Sequence, residues 1–146
     1  MSGPDAEVAG PGDRAALAEL RRRVFVEEQG VPPEIEQDAA DETAVHVISR
    51  DAGGRVVATG RLLTSPGSTT ASIGRMAADP SVRGRGHGAA VLAELHRQAV
   101  ARGIAAVELH AQVTARRFYE RAGYEPVGAE YAEAGIAHIT MRRGLP

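Results

Sequence analysis

The N-terminal third of the chain shows an amphipathic pattern followed by a polar interruption. Leu17, Leu20 and Val24 stand at i, i+3 and i+7, which predicts a helix that begins after an N-cap at Asp13. Gly30 is placed to end that helix. The stretch that follows, VPPEIEQDAADET, is too polar and too rich in proline for a regular core element. It predicts an acidic, exposed excursion.

The next segments alternate in the period of strands. AVHVISRDAGGRVVATGRLLTS holds two β-branched runs around residues 51–54, whose glycines suit the positive φ values of a tight turn. These runs predict an antiparallel hairpin. TASIGRMAADP predicts a further strand that ends at Asp79 and Pro80.

The helical period then returns. One apolar helix face is marked by Gly88, Leu92, Leu95 and Ala99, and Gly103 is placed to end this helix. Further along, IAAVELHAQV predicts an apolar strand, TARRFYERAG a short helix, and YEPVGAEYAEAGIAHITMRR two last strands. A strand, a crossover helix and a strand in sequence imply a parallel pair within a mostly antiparallel sheet. The pattern predicts a mixed α/β (α+β) fold.

Length and composition narrow the class of protein. The 146 residues predict a single domain over 1–146, with residues 1–4 as a flexible tail. No apolar run approaches the roughly 20 residues that span a bilayer, and the N-terminus lacks a signal-peptide pattern. We therefore expect a cytoplasmic protein without a membrane partner.

Charge and missing residue types exclude several kinds of chemistry. The 17 basic and 19 acidic residues give a net charge of −2, which argues against a nucleic-acid partner. The chain has no lysine, so a lysine Schiff base is excluded, and no cysteine, so a cysteinyl intermediate and thiolate metal sites are excluded. No histidine and carboxylate spacing is typical of zinc, and we expect no metal.

A glycine-rich loop, SVRGRGHGAAV, lies between a predicted strand end and a predicted helix start. A helix N-terminus offers unpaired N–H groups, and glycines let an oxyanion approach them. The loop predicts a phosphate-sized anion site, although its glycines could also serve a tight turn alone. Its spacing is neither that of dinucleotide-binding folds nor that of P-loops.

The spacing that does match is Arg-x-x-Gly-x-Gly, formed by Arg83, Gly86 and Gly88. In this respect the chain resembles the GCN5-related N-acetyltransferase (GNAT) family. A second family pattern, Asn-x-x-Ala-x-x-x-Tyr-x-x-x-Gly-Phe/Tyr, has its counterpart in residues 112–124, with Gln112 in place of the asparagine. RRRVFVEEQGVPPEIEQDAADETAVHVI, ATGRLL, IGRMAADP and EYAEAGIAHITM are similar to the ElaA-like branch of that family. The resemblance covers the chain from about Ala6 to Arg142.

The resemblance implies the GNAT acyl-CoA N-acyltransferase fold, a mostly antiparallel sheet with a central splayed parallel strand pair flanked by helices. It implies acetyl-CoA as cosubstrate, bound between the splayed strands. The cofactor-binding residues that it implies are Met76, Ala77, Ala78, Arg83, Gly84, Arg85, Gly86, His87, Gly88, Gln112, Ala115 and Phe118. The expected activity is direct acetyl transfer to a primary amine of a small molecule or peptide, without a covalent enzyme intermediate.

Two alternatives remain open on the sequence. The domain could bind acetyl-CoA as a non-catalytic sensor or scaffold. The N-terminal part, with Phe25, Asp38, Asp41 and Arg61, is also similar to acyl-homoserine-lactone synthases. Those enzymes are longer, bind acyl carrier protein and lack this complete glycine loop, so they form the minor alternative. The chain is expected to be a monomer or a homodimer.

The resemblance also suggests roles for individual side chains. Tyr119 is the expected general acid for the CoA thiolate, because the family's matching tyrosine lies near the sulfur. His110, His138 and Glu28 are candidates for the general base or for the acceptor site, with Glu108 beside them. A structural role is open for each of these residues, and a water chain could carry the proton instead.

An acidic group lies in the predicted excursion and consists of Glu34, Glu36, Asp38, Asp41 and Glu42. It could attract a cationic amine over the cleft, or it could only keep the loop solvated.

Overall fold

The structure, a computed structural model, describes residues 3–146. Within them, seven strands form one sheet in the order β1-β2-β3-β4-β5-β7-β6, in which β4 and β5 pair in parallel and all other neighbours are antiparallel. The strands are β1 (Glu7–Val8), β2 (Val45–Arg50), β3 (Val56–Leu63), β4 (Thr70–Ala78), β5 (Ala106–Gln112), β6 (Glu125–Glu133) and β7 (Ile136–Gly144). This topology confirms the predicted mixed sheet with its central parallel pair.

The helices cover both faces of the sheet. They are α1 (Arg14–Arg21), which continues as a π-helical segment (Arg22–Glu28), α2 (Pro33–Glu36), α3 (His87–Ala101) and α4 (Arg116–Arg121). The helix α3 is the crossover between β4 and β5. Of its predicted apolar face, Leu92, Leu95 and Ala99 are buried and Gly88 is half-buried, and Val91 is buried beside them. Gly103 has φ +76° just beyond the end of α3, which confirms its predicted position.

Two apolar clusters lie on opposite faces of the sheet. The larger contains the buried face of α3, Tyr119 of α4 and inward residues of the central strands. The smaller packs Leu17, Leu20 and Phe25 against Ile48 of β2. Since successive side chains of a strand point to opposite faces, neighbouring Val47 and Ile48 belong to different clusters.

The central parallel pair is splayed. β4 and β5 pair from Thr70 and Ala106 as far as Ile73 and Leu109. Beyond that point the two strands separate, while β5 continues its pairing with β7 on its other side. The separation opens a cleft at the carboxyl ends of both strands, where the anion loop and the start of α3 also lie.

One local prediction about the N-terminal region needs correction. Asp13 precedes α1 but makes no capping hydrogen bond to it; its carboxylate accepts hydrogen bonds from the Gly10 N–H and from Arg50. The strand β1 was not predicted, because its two residues are too few to show the alternation of a strand. Of the expected N-terminal tail, residues 1–2 lie outside the described residues, and the ring of Pro4 lies beside Gly86.

The acidic excursion is also more ordered than its composition predicts. It contains α2 and a 3-10 turn (Ala39–Glu42), and Glu36 is buried. Ion pairs with distant arginines provide the reason, because they satisfy carboxylates that would otherwise need water.

Across residues 3–146, no helix combines the length and the apolar character that crossing a membrane requires.

Candidate active site

The splayed strands open onto two adjoining cavities of about 640 and 650 Å³. The first, here called the hairpin cavity, lies towards β5, the β6–β7 hairpin and the segment between α1 and α2. The second, the loop cavity, lies between the glycine loop, α3 and α4. The two cavities share the lining residues Met76, Ala77, Ala78, Arg83, Ala115 and Tyr119. The cleft therefore has two compartments that meet at the free edge of β4.

A bulge in β4 shapes that edge. The pairing of β3 with β4 skips from Arg61 and Gly74 to Thr59 and Ala77, and Arg75 has φ +54°. A non-glycine residue in the left-handed region costs on the order of 1–3 kcal/mol, so the surrounding contacts must hold it there. The Arg75 guanidinium donates hydrogen bonds to the carbonyl oxygens of Ile35 and Glu36. These contacts tie the bulge to α2.

Gly60 on β3 makes room for the bulge. A Cβ at this position would lie 2.5 Å from the sulfur of Met76 and 2.9 Å from Leu95 Cδ1. The Met76 side chain therefore packs over the bare glycine backbone. Because β4 has no strand partner towards β5 after Ile73, its residues from Gly74 to Ala78 present a free backbone edge to the hairpin cavity, and the part from Met76 to Ala78 also borders the loop cavity.

The glycine loop brings a helix N-terminus to the loop cavity. Gly84 and Gly86 have φ values of +81° and +93°, so a turn alone requires glycine at both positions. Within the described chain, the N–H groups of His87, Gly88 and Ala89 have no protein acceptor, and the first helical bond runs from Ala90 to Gly86. These free N–H groups are what makes the loop suited to an anion.

Side chains of the loop point in different directions. Arg83 forms a bidentate ion pair with Glu28 at 2.6 and 2.7 Å and donates to the Ala78 carbonyl at 3.1 Å. Arg85 is exposed and lines neither cavity. The His87 ring is buried against β2, where its Nδ1 bonds the Ser49 hydroxyl at 2.8 Å. Only the backbone of His87 is therefore placed to meet an anion.

Tyr119 on α4 lines both cavities and is 7% exposed. Its ring contacts the edges of Phe118 and Tyr124, with centroids 5.0 and 5.7 Å away. Burial of this side chain raises the pKa of its hydroxyl. Tyr119 thus packs in the core and also brings a protonated hydroxyl to the junction of the two cavities.

The loop cavity gathers most residues that the resemblance assigns to the cofactor. It is lined by Met76, Ala77, Ala78, Arg83, Gly84, Gly86, His87, Gly88, Ala115 and Phe118. Gln112 lies instead in the hairpin cavity, where its amide donates to Gln29 Oε1 at 2.8 Å.

His96 and Arg143 also line the loop cavity, and sequence reasoning missed both. Burial, followed by the nearby Arg143 charge, lowers the His96 pKa to about 4. Arg143 can only donate to Nδ1 at 3.2 Å, so the neutral ring carries its proton on Nε2, 2.6 Å from the Tyr124 oxygen.

The base candidates occupy different places. His110 on β5 and His138 on β7 both line the hairpin cavity, whereas Glu28 lines neither cavity. Hydrogen bonding from Arg83 lowers the Glu28 pKa. Between the two histidines lies Glu133, which sequence reasoning missed because it stands alone before the last hairpin turn.

The acidic group of the excursion forms an internal ion network. Asp41 accepts hydrogen bonds from Arg21 and Arg61, Asp38 pairs with Arg61, and Glu36 pairs with buried Arg21. Burial alone would raise the Asp41 pKa, but the two arginines outweigh it and lower the pKa to about 2. Three of the five acids are thus engaged by arginine, while Glu34 and Glu42 are exposed. Residues 3–146 contain no group of three or more histidine and acidic side chains that could hold a metal ion.

Comparisons with known proteins agree with this geometry. A family model described as an acetyltransferase (GNAT) domain matches residues 9–145. The N-acetyltransferase YjcF of Bacillus subtilis is 32% identical over 125 residues, which are 85% of this chain and 87% of that protein. The crystal structure of Escherichia coli ElaA superposes with a TM-score of 0.81 at 27% identity, covering 98% and 99% of the two chains. A phosphinothricin acetyltransferase of Sinorhizobium meliloti, solved in complex with acetyl-CoA, shares the fold with a TM-score of 0.79 at 20% identity, covering 99% and 89%.

Proposed function

The chain belongs to the GNAT acetyltransferase family, and from that premise we propose that it is an acetyl-CoA-dependent N-acetyltransferase acting directly on a primary amine. The observation that carries the proposal is the meeting of two cavities at the free edge of β4 and the Tyr119 hydroxyl. The loop cavity suits the acetyl donor, and the hairpin cavity suits the amine acceptor. Direct transfer needs both molecules at the same junction.

The loop cavity fits acetyl-CoA. The free N–H groups of His87, Gly88 and Ala89 suit the pyrophosphate, together with the guanidinium of Arg83. The unpaired edge of β4 from Gly74 to Ala78 suits the pantetheine arm, which can pair with it as an added strand would. An N–H near Met76 would then polarise the thioester carbonyl.

The reaction joins the acetyl carbon to the amine nitrogen and breaks the carbon–sulfur bond. The leaving thiolate needs a proton or a hydrogen bond, and the Tyr119 hydroxyl is the group at the cavity junction that can supply it. Because burial raises its pKa, this hydroxyl stays protonated before each turnover. The raised pKa also makes this hydroxyl a weaker acid than free tyrosine, so in the closed site it donates a hydrogen bond to the thiolate, and net proton transfer follows as solvent re-enters.

The test is the release of free CoA thiol from acetyl-CoA by the purified protein, with a panel of primary amines and with CoA binding measured separately. We expect thiol release that depends on the amine, together with an acetylated product detected by mass spectrometry. Tight CoA binding without release across polyamines, aminoglycosides, amino acids and peptides would favour the sensor or scaffold alternative.

Two variants connect the activity to the site. Arg83→Ala should weaken CoA binding more than pantetheine binding, because pantetheine lacks the pyrophosphate. Arg97→Ala is the matched control, since within residues 3–146 Arg97 is exposed on α3, pairs only with Glu94 of the same helix and lines neither cavity. Equal effects of the two variants would argue against the loop as the phosphate site.

A further inference from the structure

On the basis of the proposed function, we propose that the acceptor is a primary amine that carries no acid group, and that Glu133 holds His110 as the base that takes the proton of this amine. The inference rests on three features of the hairpin cavity: a cluster of two histidines around one carboxylate, the place of His110 at the base of the splayed strands, and the pairing of every arginine in the cavity lining.

Three neighbouring strands build the cluster. Glu133 ends β6, His138 lies on β7 and His110 lies on β5, and the sheet order places β7 between the other two strands. Glu133 Oε1 lies 3.0 Å from His110 Nδ1, and Glu133 Oε2 lies 3.6 Å from His138 Nε2. Tyr131 stacks on His138 and meets the edge of His110. No arginine contacts the Glu133 carboxylate within the described chain.

Hydrogen bonding distinguishes the two histidines. His138 Nδ1 lies 2.8 Å from the Ile136 carbonyl, which can only accept, so Nδ1 carries a proton. By the same reasoning the Glu133 carboxylate holds the proton of His110 on Nδ1, which leaves His110 Nε2 with a lone pair. The His110 side chain is 57% exposed and that of His138 is 9% exposed. His110 is therefore the histidine that a solute can reach.

His110 also occupies the right place along the strand. Leu109 is the last residue of β5 that pairs with β4, so His110 is the first residue beyond the point of separation. Its counterpart on β4 is Gly74, directly before the bulge. A base at the bottom of the cleft lies next to the strand edge on which the thioester is expected.

The charges of the hairpin cavity define the acceptor. Among the described lining residues, each arginine already has a carboxylate counterion: Arg61 pairs with Asp38 and Asp41, Arg75 with Asp38, and Arg83 with Glu28, although the buried Nε of Arg61 has no hydrogen-bond partner. Within the described lining, no arginine is left without a counterion for an acid group on the acceptor to pair with. The rest of the lining is rich in apolar side chains, including Phe25, Val31, Ile35, Leu63 and Ile136.

An acid group on the acceptor would therefore lose its water without gaining a cationic partner, and it would face Glu133 and Glu108. The ammonium group of an amine can pair with a carboxylate of the cavity, and the apolar part of the same molecule can pack against the apolar side chains of the lining. The cavity thus favours alkyl or aralkyl amines over amino acids.

The proton balance is as follows. The bound ammonium gives one proton to His110 Nε2, and the neutral amine attacks the thioester carbonyl. Collapse of the tetrahedral intermediate breaks the carbon–sulfur bond, and the second amine proton leaves nitrogen while the thiolate is protonated through the Tyr119 hydroxyl. The products are the amide and free CoA thiol. His110 then releases its proton to solvent, so each turnover yields one proton.

The acceptor class is tested with hexylamine and 6-aminohexanoate, which share chain length and differ by a distal carboxylate. We expect kcat/KM for hexylamine to be higher by about tenfold or more, since each tenfold corresponds to about 1.4 kcal/mol. Equal or better use of 6-aminohexanoate would overturn this inference and leave the proposed function intact. Thiol release with neither amine nor with any amine of the wider panel would overturn the proposed function itself.

The roles of His110 and Glu133 are tested with variants. His110→Ala should lower kcat by roughly 10²-fold, and added imidazole should restore part of it, which a purely structural histidine would not show. Glu133→Gln should lower kcat and raise KM for hexylamine and should change the His110 tautomer seen by ¹⁵N NMR. Glu130→Gln, an exposed change on the same strand, is the control. Unchanged kcat in a folded His110→Ala protein, or no imidazole rescue, would refute the base.

Discussion

The ion pair between Arg83 and Glu28 leads to a prediction about cosubstrate affinity. Arg83 is the loop arginine nearest to the proposed pyrophosphate site, yet both of its terminal nitrogens bond Glu28. To bind a pyrophosphate with both terminal nitrogens, the Arg83 guanidinium must give up its hydrogen bonds to the Glu28 carboxylate. Glu28→Gln should therefore strengthen CoA binding, because it removes the competing carboxylate and one negative charge beside the anion site.

The size of this effect follows from the exposure of the pair. The two side chains are 41% and 40% exposed, and an ion pair at such a site stabilises by only about 0–1 kcal/mol. Its removal should thus lower the Kd for CoA by up to about fivefold. Loss of Arg83 also removes a charge-assisted contact worth about 1.5–3 kcal/mol, so Arg83→Ala should raise that Kd by about tenfold or more.

Calorimetric titration of CoA and of pantetheine into wild type, both single variants and the double variant provides the assay. Glu28→Gln should tighten CoA binding and leave pantetheine binding unchanged, and in the Arg83→Ala background it should keep only the smaller part of its effect that comes from the removed negative charge. If Glu28→Gln weakened CoA binding, Glu28 would hold Arg83 in place for the pyrophosphate rather than compete with it. A large fall in kcat with unchanged CoA affinity would instead return Glu28 to the role of base.

Three other changes have defined outcomes. Tyr119→Phe should lower kcat by roughly 10²-fold with CoA affinity retained, in steady-state assays with an accepted amine; full turnover would exclude the acid role. Gly60→Ala should destabilise the fold by about 1–3 kcal/mol in urea unfolding, because the Met76 side chain must move, whereas Gly74→Ala meets no atom within 4 Å and serves as the control. The lowered pKa of His96 means that the unfolded state binds more protons between pH 6.5 and about 4. The free energy of unfolding should therefore decrease as the pH is lowered from 6.5 to about 4, and His96→Gln should make this decrease smaller. A wild-type profile that is flat from pH 6.5 to 4 would contradict the burial of a neutral ring.

The parts of the fold that sequence predicts well are those specified by local periodicity. The α3 face repeats over four turns, and Gly103 ends the helix where its φ requires glycine. The succession of β4, α3 and β5 then predicts the parallel pair. A helix that packs across the sheet between two neighbouring strands returns the chain to the edge from which the first strand began, so both strands run in the same direction. The glycine loop is likewise a local signal.

Features that depend on distant partners gave no such signal. The bulge at Arg75 needs the bare backbone of Gly60 on the next strand and carbonyl acceptors 39 and 40 residues away. The acids of the excursion look like a solvated surface in sequence, whereas Arg21 and Arg61 bind them across separations of 15 to 23 residues. Spacing within one segment contains no information on such pairs.

The two cavities of the cleft differ in how they depend on sequence. The features that suit acetyl-CoA are mainly backbone features, namely a free strand edge and the first N–H groups of α3, and many side chains are compatible with them. The hairpin cavity is defined by side chains from α2, β3, β5 and the last hairpin, and one substitution there changes its charge. The proposed donor can thus be argued from backbone geometry, whereas the proposed acceptor has to be argued from Glu133, His110 and the paired arginines of this chain.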